Sequence, residues 1–124
     1  MSIKRFEEMK VWQDARSFTK FIYEMTAISQ FRKDFGLKDQ IQRASVSVMS
    51  NIAEGYERDN NKEFVKYLLY SKGSIGEVPS LLYVASDLSY ISAEEIQRAK
   101  NFATAISAQI ANLIKYLRDR ISKN

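Results

Sequence analysis

The sequence predicts an all-α protein, an antiparallel four-helix bundle in up-down-up-down order. Three observations point there. Four long segments carry apolar residues at spacings of three and four, the period that lines them up on one face of a helix. No segment shows the alternation of a half-buried strand. The breaks between segments are short, so consecutive helices must fold back on one another.

The first segment runs Val11, Ala15, Phe18, Ile22, Met25, with Trp12 as a further core or interface anchor. The stretch from Phe31 to Gly36, containing Asp34 and Gly36, separates it from the second, which runs Leu37, Ile41, Ala44, Val48, Ile52. Gly55 is expected to end that helix as its left-handed residue. Asn60 followed by Glu63 reads as a capping box for the third helix, whose stripe is Phe64, Leu68, Ser71, Ile75, Val78, Leu82, Ala85. Pro79 interrupts it, removing one hydrogen bond to the Ile75 carbonyl at a cost of about 3 kcal/mol, with a kink expected. Ser92 followed by Glu95 forms a second capping box, and the fourth helix carries Ile96, Ala99, Ala103, Ile106, Ile110, Leu113, Leu117, Ile121.

The 124 residues suit one domain spanning 1–124, and 45% hydrophobic with 27% charged residues is the balance of a folded globular chain. With no histidine, the commonest general base, the usual zinc ligand and the Glu-x-x-His element of di-iron bundles are excluded together. With no cysteine, disulfides and thiolate chemistry are excluded too. The first ten residues carry Lys4, Arg5, Glu7, Glu8 and Lys10 with no apolar run behind them, so neither a signal peptide nor a membrane span is expected, and the reading is cytoplasmic. No cofactor or metal is expected. Catalysis through Glu54, Glu77 or a tyrosine is the weakest reading, since no base, metal set or phosphate-cradling glycine loop accompanies them.

Net charge is +4. From Ser92 onward six basic residues stand against three acidic ones, a surplus gathered near Arg118 and Arg120 that draws polyanions or complements a helix dipole. Arg58, Lys62, Lys66 and Tyr70 recur every four residues, putting three cations and a ring on one ridge. That ridge can track a nucleic-acid backbone and stack a base, although the pattern taken alone fits a solvated helix face better. On the third helix Val65, Leu69, Gly76 and Tyr83 form a second row, with Gly73 allowing close backbone approach, which favours an oligomer interface over a broad core-facing arc. On the second, Gln40, Arg43, Ser47, Asn51 and Glu54 make a polar stripe, read as a hydrogen-bond network that fixes helix register, with Arg43 and Glu54 each needing a partner on another helix or subunit.

Three blocks also carry a resemblance: Val11-Trp12-Gln13-Asp14-Ala15, then Gln40 through Gly55 ending Asn51-Ile52-Ala53-Glu54-Gly55, and Gly73-Ser74-Ile75-Gly76-Glu77. Together they resemble the bacterial four-helix bundle family named for intervening sequences in 23S rRNA genes, over nearly the whole chain. The resemblance implies a four-helix bundle, a homopentamer and no enzyme activity. It also implies kinship with the accessory variability determinants of diversity-generating retroelements, which bind nucleic acid and a reverse transcriptase. RNA or DNA and a nucleic-acid-processing protein are therefore the expected partners, with a protein-interaction scaffold as the alternative. Two departures stand out. Val48-Met49 replaces the family's Ile-Pro or similar pair, and Pro79 stands where a carboxylate is usual, so the polar contact of that carboxylate does not carry over.

Overall fold

The computed structural model describes residues 3–123. A short 3-10 turn at Phe6–Glu8 leads into four helices, α1 (Lys10–Thr26), α2 (Phe35–Glu57), α3 (Asn61–Asp87) and α4 (Ala93–Ser122), and no strand occurs among the described residues. Each helix packs on its neighbours in sequence and α1 closes the ring on α4, as an antiparallel four-helix bundle requires. At 1.5 Å per residue the three longer helices extend roughly 35–45 Å.

The periodic residues fill one continuous core. Phe18, Ile22, Ile41, Val48, Ile52, Leu68, Val78, Leu82, Ile106 and Ile110 are fully enclosed. In α4 the stripe passes through Ile114 instead of Leu113, which is only half-buried, because Ile110, Ile114 and Leu117 keep to one line of the helix. The core also takes Met9 and Ile91 from the connections and Phe31 from a second short 3-10 turn, Phe31–Lys33, between α1 and α2.

The caps hold as expected at α4, where the Ser92 hydroxyl accepts from the Glu95 N–H at 3.1 Å and the Glu95 carboxylate accepts from the Ser92 N–H at 2.9 Å. At α3 only half of the box forms: Asn60 Oδ1 accepts from the Glu63 N–H at 3.0 Å, with no return bond. Asp34 caps α2 through the Leu37 N–H, and its other oxygen accepts from the Tyr90 hydroxyl at 2.9 Å. That carboxylate pushes the Tyr90 phenol above its ordinary value and ties the α1–α2 connection to the α3–α4 connection. Helix α3 ends in a paired closure, with Ser89 left-handed at φ 62°, the Tyr90 N–H donating to Ala85 O and the Ser89 N–H to Ser86 O. Pro79 lies within α3, which runs unbroken to Asp87 while Val78, Leu81 and Leu82 beside it are buried.

Gly55 does not play the part its position suggested. Helix α2 continues through it to Glu57, and the left-handed residue is Asp59 at φ 52°. Gly55 is instead a point of contact. A Cβ there would meet Phe64 Cδ1 and Tyr67 Cβ at 2.9 Å each and the Phe64 carbonyl oxygen at 3.3 Å, so only glycine lets α2 and α3 approach this closely.

Candidate nucleic-acid interface

The antiparallel order carries the α2–α3 turn and the last turns of α4 to the same end of the bundle, and the N-terminal segment joins them there, the Tyr56 hydroxyl donating to Ile3 O at 2.9 Å. Two basic groups more than fifty residues apart in sequence therefore share one end: Arg58 with Lys62, and Arg118 with Arg120. Tyr116 and Arg120 line a common cavity with Asn60 and Asn61.

The Arg58–Tyr70 ridge is organised around a residue its own spacing skips. Tyr67 accepts a 2.6 Å hydrogen bond on its hydroxyl from Arg58 Nη2, and the Arg58 guanidinium lies 5.0 Å from the ring centroid. Lys66 Nζ stands 5.9 Å from the same centroid, and Tyr70 packs edge-on against Tyr67 at 5.6 Å. Arg58, Lys66, Tyr67 and Tyr70 thus form one cluster, while Lys62 projects from the same helix into solvent. Cation and ring together attract a phosphate and offer a face to a base. At the α4 side Arg120 repeats the motif over Tyr116 at 5.3 Å, and Arg118 is exposed. Acidic groups temper this end: Glu54 lies 3.6 Å from Arg58, and Glu57, Asp59, Glu63 and Asp119 stand near the cations in sequence. Tyr67 was invisible to a four-residue period because it lies on the side of α3 that turns toward α2. Its signal was its place one helical turn after Glu63 and three residues before Tyr70.

The second row of α3 needs one correction. Val65 is only 7% exposed and belongs to the chain's own core rather than to an outward face. Leu69 is 44% exposed, and Gly73 and Gly76 are open, with nothing within 4 Å of a Cβ built on either. Tyr83 is half-exposed, but its hydroxyl accepts from Lys100 Nζ, whose ammonium also sits 4.9 Å from the ring centroid, so it leans onto α4. The outward row thereby loses Val65 and keeps Leu69, Gly73, Gly76 and the half-exposed Tyr83.

The polar stripe of α2 divides in two. Ser47 and Asn51 lie at the seam with α3, where Asn51 Nδ2 donates to Ser47 and the Ser74 hydroxyl donates to Ser47 Oγ at 2.9 Å; Gln40 reaches Glu77 at 3.3 Å. Arg43 and Glu54 need no partner from elsewhere. Each pairs four residues away in sequence, Arg43 with Asp39 at 2.8 Å and Glu54 with Arg58, the residue that closes α2. A further link in this seam lies off the stripe: the buried Ser71 hydroxyl donates to Val48 O at 2.7 Å.

Among the described residues no helix is long and apolar enough to cross a membrane, and no group of three or more Asp or Glu is placed to hold a metal ion. No curated protein matches the sequence. The fold is similar to that of a protein of unknown function from the S23 ribosomal protein family of Bacteroides thetaiotaomicron, with a TM-score of 0.77 and 24% identity over 85% of this chain and 98% of that one. Residues 7–112 match the family model described as 23S rRNA-intervening sequence protein, in keeping with the blocks around Trp12, Glu54 and Gly76. The chain belongs to the 23S rRNA-intervening sequence protein family.

Proposed function

We propose that the protein is a non-enzymatic, oligomeric adaptor of the cytoplasm that binds RNA or DNA through the basic and aromatic end of its bundle. The observation that carries this reading is the meeting at one end of two basic groups, each with a guanidinium over a tyrosine ring, Arg58 on Tyr67 and Arg120 on Tyr116. Phosphates are drawn by the cations and bases by the rings, with little sequence preference. The family's tie to rRNA genes agrees with it. A homopentamer, as the family resemblance implies, would repeat the basic end around a ring and multiply its field, and would offer a nucleic-acid-processing protein several equivalent contacts.

Salt dependence tests it. Each neutralised phosphate contributes about 0.7 to the log–log slope for single strands and about 0.9 for a duplex. Lys62→Ala with Lys66→Ala should flatten that slope and weaken binding, as should Arg118→Ala with Arg120→Ala, each with helicity unchanged. No binding of RNA or DNA by the wild type at low salt refutes the reading.

A protein-interaction scaffold is favoured by a different observation, the open Gly73 and Gly76 beside exposed Leu69 on α3. Each glycine costs about 1 kcal/mol of helix propensity with no return inside the chain. Leu69→Glu should dissociate the assembly in light scattering if that face is covered. A wild-type monomer at tens of micromolar removes the assembly altogether.

A further inference from the structure

A cavity of about 550 Å³ opens at the basic end, walled by three stretches of chain that only the fold brings together. Lys4 comes from the N-terminal segment, Glu57 from the end of α2, Asp59 from the α2–α3 turn, and Tyr116 and Arg120 from the last turns of α4. Among the described residues none of these four charged groups forms an ion pair, with each other or with anything else. Two cations and two carboxylates thus face one space without a salt bridge, beside the Tyr116 ring on which Arg120 lies.

That combination selects against simple ligands. A bare phosphate meets two carboxylates as well as two cations, and a bare cation meets the reverse. A ligand that satisfies the whole set carries an anion at one end, a cluster of N–H donors at the other and a flat face between them. Guanine nucleotides have this form. The N1–H and N2–H₂ groups of guanine present two parallel donors to a carboxylate, whereas adenine and cytosine set an acceptor beside their amine and uracil flanks its N–H with carbonyls. We propose that this cavity takes one unpaired guanine nucleotide, the base against Tyr116 with its donors on Glu57 or Asp59, and the phosphate held by Lys4 and Arg120. The proposal rests on the nucleic-acid reading above and departs from its lack of sequence preference at one position: the ridge holds the strand whatever its sequence, and the cavity reads one base.

Titration of the protein with GMP, AMP, CMP and UMP, followed calorimetrically, tests it. GMP should bind about 5- to 150-fold more tightly than the other three, the discrimination of one well-made bidentate contact. Glu57→Gln with Asp59→Asn should erase that preference while binding oligouridylate as tightly as the wild type or more so, since two negative charges are gone; asparagine keeps the left-handed backbone of Asp59. Tyr116→Ala should weaken all four mononucleotides about 5- to 150-fold. Equal affinity for the four, or a GMP preference that survives the double substitution, overturns the proposal. Strand binding without any mononucleotide binding overturns the cavity alone. GMP binding without strand binding upholds the cavity and overturns the strand reading.

Discussion

The seam between α2 and α3 and the seam between α1 and α4 solve the same packing problem with opposite materials. Between α2 and α3 the side chains are small: Gly55 admits the partner helix to within van der Waals contact, Ser71 bonds to the Val48 carbonyl, and Ser74 bonds to Ser47. Between α1 and α4 they are large. Phe18 and Phe102 pack edge-on at 5.2 Å, Phe21 lies 6.1 Å from Phe102, and Arg98 covers Phe21 at 5.6 Å. Helix α1 accordingly meets α4 much less closely than α2 meets α3. Large rings fill a wide seam with apolar area and leave register to few polar contacts, whereas small residues close a narrow seam in which every hydroxyl must find its partner. The narrow seam is also the one that builds the candidate site, since Gly55 touches Tyr67, the ring on which Arg58 and Lys66 converge.

The wide seam should break most expensively where its rings are fully enclosed. Phe18→Ala removes a side chain with no exposure and strands its partner Phe102, so a loss of about 3–5 kcal/mol is expected in urea unfolding. Nucleic-acid binding by the protein that remains folded should be unchanged, because Phe18 lies on the far seam from Tyr67. A loss under 1 kcal/mol would mean that the rings rearrange to fill the space.

The narrow seam should respond to a single methyl group. Gly55→Ala gains about 1 kcal/mol of helix propensity, but its Cβ would stand 2.9 Å from Tyr67 Cβ and Phe64 Cδ1. The first is anchored close to the α3 backbone and cannot swing away, so α2 and α3 must part, at a typical overpacking cost of about 1–3 kcal/mol. Here stability and binding should fall together, since Tyr67 moves with α3. A variant more stable than the wild type would show that the seam has slack.

These seams were unequally legible in the sequence. Helix interiors such as Phe18 to Ile22 and Ile106 to Ile110 declare themselves, because burial repeats with the helical period. The Ser92–Glu95 box is legible because a cap is local chemistry. Gly55 is ambiguous in the sequence for a related reason: glycine at a helix end and glycine at a helix crossing look alike until the partner helix is in place. Val65 sits at the edge of the core arc, where one turn of angle separates inside from outside, and period alone does not settle it. Met9, Phe31 and Ile91 belong to the core without belonging to any stripe. In the candidate site the cations were legible by spacing, but the meeting of Arg58 with Arg120's end of α4, and the place of Tyr67, are products of the closed bundle.

The smallest effect, and the sharpest probe of the wide seam's polar economy, is at Asp14. Its carboxylate accepts from Lys10 Nζ at 2.6 Å and from Gln109 Nε2 at 2.8 Å, the latter bond crossing from α4 to α1. Burial by itself pushes the Asp14 carboxyl up, yet the two hydrogen bonds and the charge of Lys10 outweigh it and hold the group below the ordinary aspartate value. A carboxyl depressed in the folded state stabilises that state at any pH above its unfolded value, and the contribution disappears as pH falls through the folded value, where both states are protonated. Lys10→Met combined with Gln109→Ala leaves burial unopposed, so Asp14 should then bind its proton at a higher pH than in the wild type. Urea unfolding across about pH 2–7 should show a wild-type advantage that is constant above about pH 5 and shrinks in more acid solution. In an Asp14→Asn background the same two substitutions should produce no pH-dependent difference. If the advantage persists unchanged at the acid end, the contacts of Lys10 and Gln109 act through packing instead of through the charge of Asp14.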